Sequence, residues 1–174
     1  MQPNPFFVSV QTKPRPFGDA SAKTLARAPH LDRLRVLCFG SNDISDVGLD
    51  ALASADWAPS LNRLELTDTH ITRRELRALS SPAFGNLRWL DLGSGKMTYE
   101  EIPHLLAIPW LPHLTHLILR KNEIGYEGAR LLASAPLDAI EFLDVTKNKI
   151  AEPECELLRE RFGDRVRLRN SCDE

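Results

Sequence analysis

Long apolar runs are missing from this 174-residue chain, and so is any large excess of charge of one sign. A membrane-spanning helix needs roughly 18 or more consecutive apolar residues, and no stretch approaches that length. The 22 basic and 24 acidic residues give a formal net charge of −2, which argues against nucleic acid or a membrane surface as the partner. The opening residues, MQPNPFFVSVQTKPRP, lack the charged start, apolar stretch and cleavage site of a secretion signal. We therefore expect a cytoplasmic protein.

Cysteine is scarce as well. The three cysteines, Cys38, Cys155 and Cys172, are an odd number, and no two of them form a C-x-x-C pair. This pattern indicates neither a disulfide framework nor a zinc knuckle. We expect free thiols, which suit a reducing compartment. Cys155 is interpreted as inert packing, and Cys38 as a strand residue with nothing nearby to lower the pKa of its thiol.

Motifs for catalysis and cofactor binding are also missing. The sequence contains no G-x-S-x-G, no H-E-x-x-H and no glycine-rich dinucleotide fingerprint. The stretch WLDLGSGKMTYEEI, residues 89–102, resembles a phosphate-binding loop only at Gly95 and Lys96. Leu90 stands at the first glycine position of such a loop, and Met97 at its magnesium-binding hydroxyl position. The sequence therefore predicts no catalytic residues, no cofactor and no enzymatic activity.

What the chain does contain is a repeat of 26 or 27 residues. Its copies follow the pattern L-x-x-L-x-L-x-x-N-x-I, with Thr69 and Gly95 replacing the asparagine in the second and third. The five copies are LRVLCFGSNDI from Leu34, LNRLELTDTHI from Leu61, LRWLDLGSGKM from Leu87, LTHLILRKNEI from Leu114 and IEFLDVTKNKI from Ile140. Because missing such a repeat would misassign the whole fold, it takes precedence over the phosphate-loop interpretation.

Each copy predicts a short strand followed by a helix. Apolar residues that alternate with a period of two, as at Leu90 and Leu92, are typical of a strand with one buried face. Farther along each copy, apolar residues spaced by three, as at Leu76 and Leu79, indicate a helix. Stacked strands of this kind form a parallel sheet, and we expect the repeated asparagines to satisfy buried backbone groups at the turns.

The helix starts carry signals of their own. Two pairs fit the capping-box pattern, and Pro153 suits a first helical turn. The pairs are Thr72 with Glu75 and Thr98 with Glu101. Large apolar residues after each helix are predicted to fill the space beneath its exit: Trp57, Phe84, Trp110 and Leu137.

These residues resemble the leucine-rich repeat, and the period is most similar to that of the helix-bearing, ribonuclease-inhibitor-like group. The resemblance covers about residues 34–169, and the closing segment also resembles the way in which bacterial members end. It implies an α/β fold: a leucine-rich-repeat solenoid shaped as a right-handed horseshoe arc. The parallel sheet would line the concave face, and the helices the convex face.

Three units are predicted along the chain. Residues 1–33 form a degenerate N-terminal capping repeat, in which Phe7 and Val10 align with the start of the first clear copy. Residues 34–165 hold five repeats, starting near 34, 61, 87, 114 and 140, and residues 166–174 form a terminal strand and tail. Prolines in the first unit, Pro14 and Pro16, would discourage another chain from adding to that edge. The alternative is that this unit is a true repeat of a longer parent protein.

Solenoids bind through the concave face, so its side chains are the candidate site. Trp89, His116 and Phe142 are predicted to form an exposed row across three strands, called here the aromatic strip. Aromatic residues with arginine and a polar rim are typical of binding hot spots. The full predicted partner-binding set is Arg63, Glu65, Trp89, Asp91, His116, Arg120, Lys121, Phe142 and Asp144. The alternative is that a terminal segment or the curvature of the array covers some of them.

A metal site at His113 and His116 is disfavoured, because the first precedes the strand, the second lies on it, and no further ligand completes the set. We therefore predict a cytoplasmic protein-interaction module that binds a protein partner, without metal, nucleic acid or membrane, and is a monomer. The alternative function is a structural or regulatory subunit, or a fragment of a larger assembly, that self-associates through its terminal repeats. Concentration-dependent mass would distinguish the two.

Overall fold

The computed structural model describes residues 17–168 and the backbone of residues 6–9. Within these ranges the strands, β1 to β7, are Phe6–Ser9, Leu34–Cys38, Arg63–Glu65, Trp89–Asp91, His116–Ile118, Phe142–Asp144 and Val166–Arg167. The helices, α1 to α6, are Asp19–Ala26, Asp46–Ala53, Arg73–Leu79, Ile102–Leu106, Gly125–Ser134 and Glu152–Phe162. Strand and helix alternate along the chain, as the repeat predicts.

The strands form one sheet in chain order, and every neighbouring pair is parallel. The register places equivalent positions of successive repeats side by side. One row is Val36, Arg63, Trp89, His116 and Phe142, and the next is Cys38, Glu65, Asp91, Ile118 and Asp144. The predicted alignment of the repeats is confirmed from β2 to β6.

The arc follows from the different widths of its two layers. Adjacent strands lie about 4.8 Å apart, whereas packed helices need about 8–10 Å. An array with strands on one side and helices on the other must therefore bend, with the sheet inside the curve. This α/β horseshoe has the sheet on its concave face and the helices on its convex face, as predicted.

A single continuous core separates the two layers. The inward strand leucines Leu37, Leu64, Leu90, Leu117 and Leu143 are all 0% exposed. The helix positions spaced by three are buried as well, and so are the large groups Trp57, Phe84, Trp110 and Leu137. The Trp110 indole N–H also donates to the Leu79 carbonyl at 2.9 Å, which ties one helix exit to the previous repeat. These predicted core positions are confirmed.

The repeated asparagines tie successive turns together. The Asn122 side-chain oxygen accepts from the N–H groups of Gly95 at 2.9 Å and Met97 at 3.0 Å. Its amide nitrogen donates to the carbonyls of Leu92 at 3.0 Å and Leu119 at 2.8 Å. Asn42 and Asn148 make corresponding bonds, each to its own turn and to the preceding one. The prediction that these side chains satisfy buried backbone groups is confirmed.

The two capping boxes have different outcomes. Thr72 and Glu75 form a complete box at the start of α3. Burial raises the pKa of Glu75, but hydrogen bonds from Thr72 outweigh it and lower the pKa overall. Thr98 and Glu101 also contact each other, with the Thr98 N–H 3.0 Å from the Glu101 carboxylate, yet α4 begins only at Ile102. The helix start predicted at Thr98 is therefore too early.

The first strand departs from the predicted register. Subtraction of 27 residues places Phe7 opposite Leu34 and Val10 opposite Leu37, whereas the structure pairs Phe6 with Leu34 and Val8 with Leu37. The paired residues are therefore more than 27 positions apart, and a register shift between Phe6 and Phe7 widens the spacing further. Val10 lies outside the described residues, as do Pro14 and Pro16. The division of the chain into a capping repeat, five repeats and a terminal strand stays a prediction.

Candidate functional site

The aromatic strip crosses three adjacent strands of the concave face. Trp89, His116 and Phe142 come from β4, β5 and β6, and all three are half-buried. The Trp89 and His116 rings are stacked, with centroids 4.3 Å apart and an interplanar angle of 14°. The Phe142 ring is tilted by 40° against His116 at 6.1 Å. The register thus gathers the three rings that the sequence predicts into one row.

Arg63 extends this row on the side of β3. Its guanidinium carbon lies 3.9 Å from the centroid of the Trp89 ring, a distance at which the cation is attracted by the π-face. Arg63 also forms an ion pair with Glu65 on the same strand. Because Arg63 and His116 come from the strands on either side of β4, Trp89 is held between them, and both faces of its ring are covered.

The hydrogen bonds of Thr115 assign the proton of His116. The Thr115 hydroxyl donates to the Arg88 carbonyl at 3.0 Å, so its oxygen remains to accept. That oxygen lies 2.9 Å from Nδ1 of His116. In the neutral ring the proton is therefore assigned to Nδ1, which leaves Nε2 as an acceptor. His116 lies on β5, whereas His113 lies exposed in the turn before that strand.

The carboxylates of the concave face are engaged within the chain. Asp144 is only 6% exposed, and its oxygen accepts from the Thr146 N–H at 3.0 Å and the Thr146 hydroxyl at 2.7 Å. Asp91 accepts from the Gly93 N–H at 2.8 Å. Burial raises the pKa of Asp91, and the hydrogen bond from Gly93 only partly offsets that effect. Of the predicted acidic contacts, Asp144 is thus the least accessible.

The basic residues of the site lie beyond the carboxyl ends of the strands. Arg120 and Lys121 are exposed, as is Lys147, the equivalent of Lys121 in the next repeat. A Cβ on Gly93 would lie 3.1 Å from Cγ of Arg120, so the missing side chain leaves room for the arginine stem. We call Arg120, Lys121 and Lys147 the basic edge.

Left-handed backbone at this edge is a feature that sequence reasoning missed. The residue before each asparagine position has a positive φ of 54 to 59°, although none of the five is a glycine. The five are Ser41, Asp68, Ser94, Lys121 and Lys147. The repeat spacing could have marked the position, whereas the residue type signals it only at Asp68, since asparagine, aspartate and glycine are the common residues in this conformation.

Cys38 is a buried free thiol at the margin of the face. Burial raises its pKa to about 12, and the hydrogen bond to the Glu65 carboxylate adds to the effect. Since the thiolate is the reactive form, this thiol is unreactive at neutral pH.

Cys155 differs from its prediction. It is fully buried in α6, as expected for a core residue, but it is disulfide-bonded. The expectation that all three thiols are free is therefore wrong for Cys155. Cys172 lies outside the described residues.

Two exposed tyrosines were not singled out from the sequence. Tyr99 is 45% exposed and lies in the turn before α4, and Tyr126 is 55% exposed and lies in the first turn of α5. Their shared position in the repeat was the signal that could have found them. Neither tyrosine lies on a strand of the sheet.

Searches for other kinds of site cover only the residues that the structure describes. Within them, no cluster of three or more histidine, cysteine or acidic side chains is placed to hold a metal ion. None of the helices found there is long and apolar enough to cross a membrane.

Comparisons with known proteins agree with this architecture. The model of the Leucine Rich repeat family matches residues 34–53 and 111–133. A solved protein from Bacteroides fragilis superposes with a TM-score of 0.66 at 18% identity, over 82% of this chain and 43% of that one. An internalin from Listeria monocytogenes gives a TM-score of 0.55 at 20% identity, over 83% of this chain and 43% of the internalin. A search of curated proteins found no match.

The matched segments and the two superpositions therefore show the fold of a leucine-rich-repeat solenoid, as predicted. The chain spans less than half the length of both solved proteins that it resembles. Its assignment to the ribonuclease-inhibitor-like group and to a bacterial source stays a prediction.

Proposed function

We propose that this chain is a non-enzymatic interaction module that binds a protein partner through its concave face. Repeat solenoids present extended concave surfaces for binding. The observation that carries the proposal is the aromatic strip, where Trp89, His116 and Phe142 stay half-exposed in one row across three strands. Half-exposed aromatic residues beside arginine and lysine have the composition of an interface hot spot.

The nine predicted contact residues divide in this proposal into two groups. The accessible members would meet the partner directly: Arg63, Glu65, Trp89, His116, Arg120, Lys121 and Phe142. Asp91 and Asp144, which accept hydrogen bonds from Gly93 and Thr146, would shape the face instead. No cofactor, metal, nucleic acid or membrane enters the proposal.

The test is recovery of partners from a lysate of the source organism on three immobilised baits. The baits are the wild type, Trp89→Glu with Phe142→Glu, and Tyr99→Glu with Tyr126→Glu. The last is a matched control, because it also replaces two accessible aromatic residues with glutamate but lies off the strands. We expect a protein retained by the wild type and the control and lost from the concave variant, with all three baits melting cooperatively.

Other results would contradict the proposal. If only the variant with Tyr99→Glu and Tyr126→Glu loses the partner, the partner binds near these two tyrosines and not on the strands. If all baits recover only copies of this chain, self-association through the terminal repeats is the better explanation. Sedimentation at several protein concentrations then measures that association and tests the predicted monomer.

We also propose a cytoplasmic location. The disulfide at Cys155 argues against that location, because reducing compartments keep thiols reduced. Thiol labelling of the protein taken directly from its source cells distinguishes a reducing compartment from an oxidising one. A labelled Cys155 would support the cytoplasm, and a protected one an oxidising compartment.

A further inference from the structure

Most of the acidic side chains on the concave face are engaged by other groups of the chain, which leaves an excess of accessible positive charge. Glu65 is paired with Arg63. Asp91 and Asp144 accept hydrogen bonds from the backbone N–H groups two residues beyond them, at 2.8 Å and 3.0 Å. All three predicted acidic contacts thus have their partners within the chain, so a ligand gains little by replacing them.

The basic edge is in the opposite condition. Arg120, Lys121 and Lys147 are exposed, and none of them forms a close ion pair with a carboxylate in residues 17–168. Arg120 is near enough to Asp91 to lower the pKa of that carboxyl, so the two lysines are the cations without an internal acidic partner among these residues. Lys121 and Lys147 hold equivalent positions on neighbouring repeats, and the Lys121 N–H donates to the Thr146 carbonyl at 2.8 Å. Two like charges held side by side repel each other, and an anionic ligand relieves that repulsion.

The aromatic strip favours the same sign of ligand. Arg63 and His116 cover the two faces of the Trp89 ring, at 3.9 Å and 4.3 Å from its centroid. A ligand on the concave face therefore meets ring edges, which carry the positive part of the aromatic quadrupole. Carboxylate and carbonyl oxygens are attracted to such edges. Stacking of nucleic-acid bases, in contrast, needs an open ring face.

We propose that the partner contacts this face with an acidic segment. Its carboxylates would lie against the basic edge, and its neighbouring residues along the edges of the aromatic strip at His116 and Phe142. This inference rests on the proposed function, because it assumes that a protein occupies the concave face, and it adds the chemistry of that protein.

The test uses a random linear-peptide library displayed on phage and selected on the immobilised full chain. Selected sequences are expected to be enriched in aspartate and glutamate relative to the unselected library. One enriched peptide is then synthesised, and its affinity is measured for the wild type and for Lys121→Glu with Lys147→Glu. The expected loss is about tenfold or more, since two exposed charge contacts become repulsive. The affinity of the wild type should also fall as salt is raised.

A matched control is available on the convex face. Arg74→Glu with Arg77→Glu changes the net charge by the same amount on exposed positions of α3. This variant should bind the peptide as the wild type does. An equal loss in both variants would show a general effect of net charge and would overturn the acidic-segment proposal.

The remaining outcomes separate this inference from the proposed function. Peptides of neutral or basic composition, lost in Phe142→Glu but kept in the lysine variant, would overturn the acidic segment and leave concave binding intact. Acidic peptides that bind Phe142→Glu and the lysine variant with the affinity of the wild type would overturn both the acidic segment and concave binding. In a competition experiment, displacement of the bound peptide by oligouridylate at a lower concentration than by free peptide would assign the face to a nucleic acid. That result would overturn both proposals. If no peptide is enriched over the bare support, a linear acidic segment is excluded.

Discussion

Asp91 illustrates how one residue can serve the surface at the expense of stability. Its carboxyl has a raised pKa because of burial, so the folded state releases this proton at higher pH than the unfolded state does. As pH rises through the unfolded value and then the folded one, ionisation favours unfolding. At neutral pH the charge of Asp91 therefore opposes folding, even though the carboxylate accepts the Gly93 N–H.

We expect Asp91→Asn to raise the melting temperature at pH 7, because the amide oxygen can still accept from Gly93 while the buried charge is removed. The gain should shrink at about pH 3, where the carboxyl is protonated in both states. Thermal melts of the variant and the wild type at both pH values measure this difference. Asp50→Asn, an exposed change on α2, controls for net charge. A gain that is larger at acid pH would contradict the prediction.

The repeat register makes a second prediction for single residues. Leu90 is 0% exposed, so Leu90→Ala should lower the free energy of unfolding by about 2–5 kcal/mol, through lost burial and a cavity. Lys96 is exposed between the asparagine and isoleucine positions, and Lys96→Ala should cost well under about 1 kcal/mol. Denaturant titration of both variants measures the two costs. If they are equal, the interpretation of residues 89–102 as a repeat is wrong.

Sequence reasoning was most reliable for side-chain direction. The two-residue period places Trp89 on one face and Leu90 on the other, and the parallel register carries that assignment to every strand from β2 to β6. It could not predict which outward residues stay accessible. Asp91 and Asp144 both accept the N–H two residues farther along the chain, yet only Asp144 is buried, and the repeat pattern gives no sign of that difference.

The turn between strand and helix is not built in the same way in every repeat. Asn122 bonds to the N–H groups of Gly95 and Met97, which hold the asparagine and isoleucine positions of the preceding repeat. In the second repeat Thr69 takes the asparagine position, and its side chain is too short to do the same. Thr69 is 2% exposed, and its hydroxyl has no hydrogen-bond partner among the described residues.

We expect Thr69→Asn to stabilise the protein by about 1–2 kcal/mol, because the amide would join the turn of the previous repeat and replace an unsatisfied buried hydroxyl. By the register, its new donors would be the N–H groups of Asn42 and Ile44. Thr69→Val is the control, since it removes the hydroxyl without adding the amide. Denaturant titrations of the three proteins test the order: asparagine above valine, and valine at or above threonine. Asparagine below valine would mean that the turn cannot hold it.

The start of α4 shows where local sequence signals compete. The Thr98–Glu101 contacts form as the capping-box pattern predicts, but the helix begins at Ile102. Pro103 lacks an N–H and therefore cannot bond back to Tyr99, and its fixed φ suits the first turn of a helix. The pattern fixes the contact, whereas the proline decides where regular helix begins.

The sequence predicts less about the whole molecule than about its parts. The equal spacing of the copies gives the arc, the concave sheet and the core, because each repeat packs in the same way on its neighbours. The register of β1 was not predicted, since its residues pair with residues of β2 that lie farther along the chain than one repeat length. The identity of the partner depends on surface chemistry alone, and the repeat pattern carries none of that information.

Because neighbouring repeats are coupled, the effect of a core substitution should depend on its position in the array. Leu117 in β5 has repeats on both sides, whereas Leu158 in α6 lies near the end of the array, and both are 0% exposed. Because each repeat contacts only its neighbours, Leu117→Ala should speed amide hydrogen exchange in β4 and β6 alike. Leu158→Ala, the same substitution in an equally buried position, should speed exchange in β6, α6 and β7 and leave β2 and β3 at the wild-type rate. Exchange measured by mass spectrometry under native conditions resolves these segments. Equal acceleration of every strand in both variants would mean that the arc unfolds as one unit and would contradict the prediction of coupling between neighbours alone.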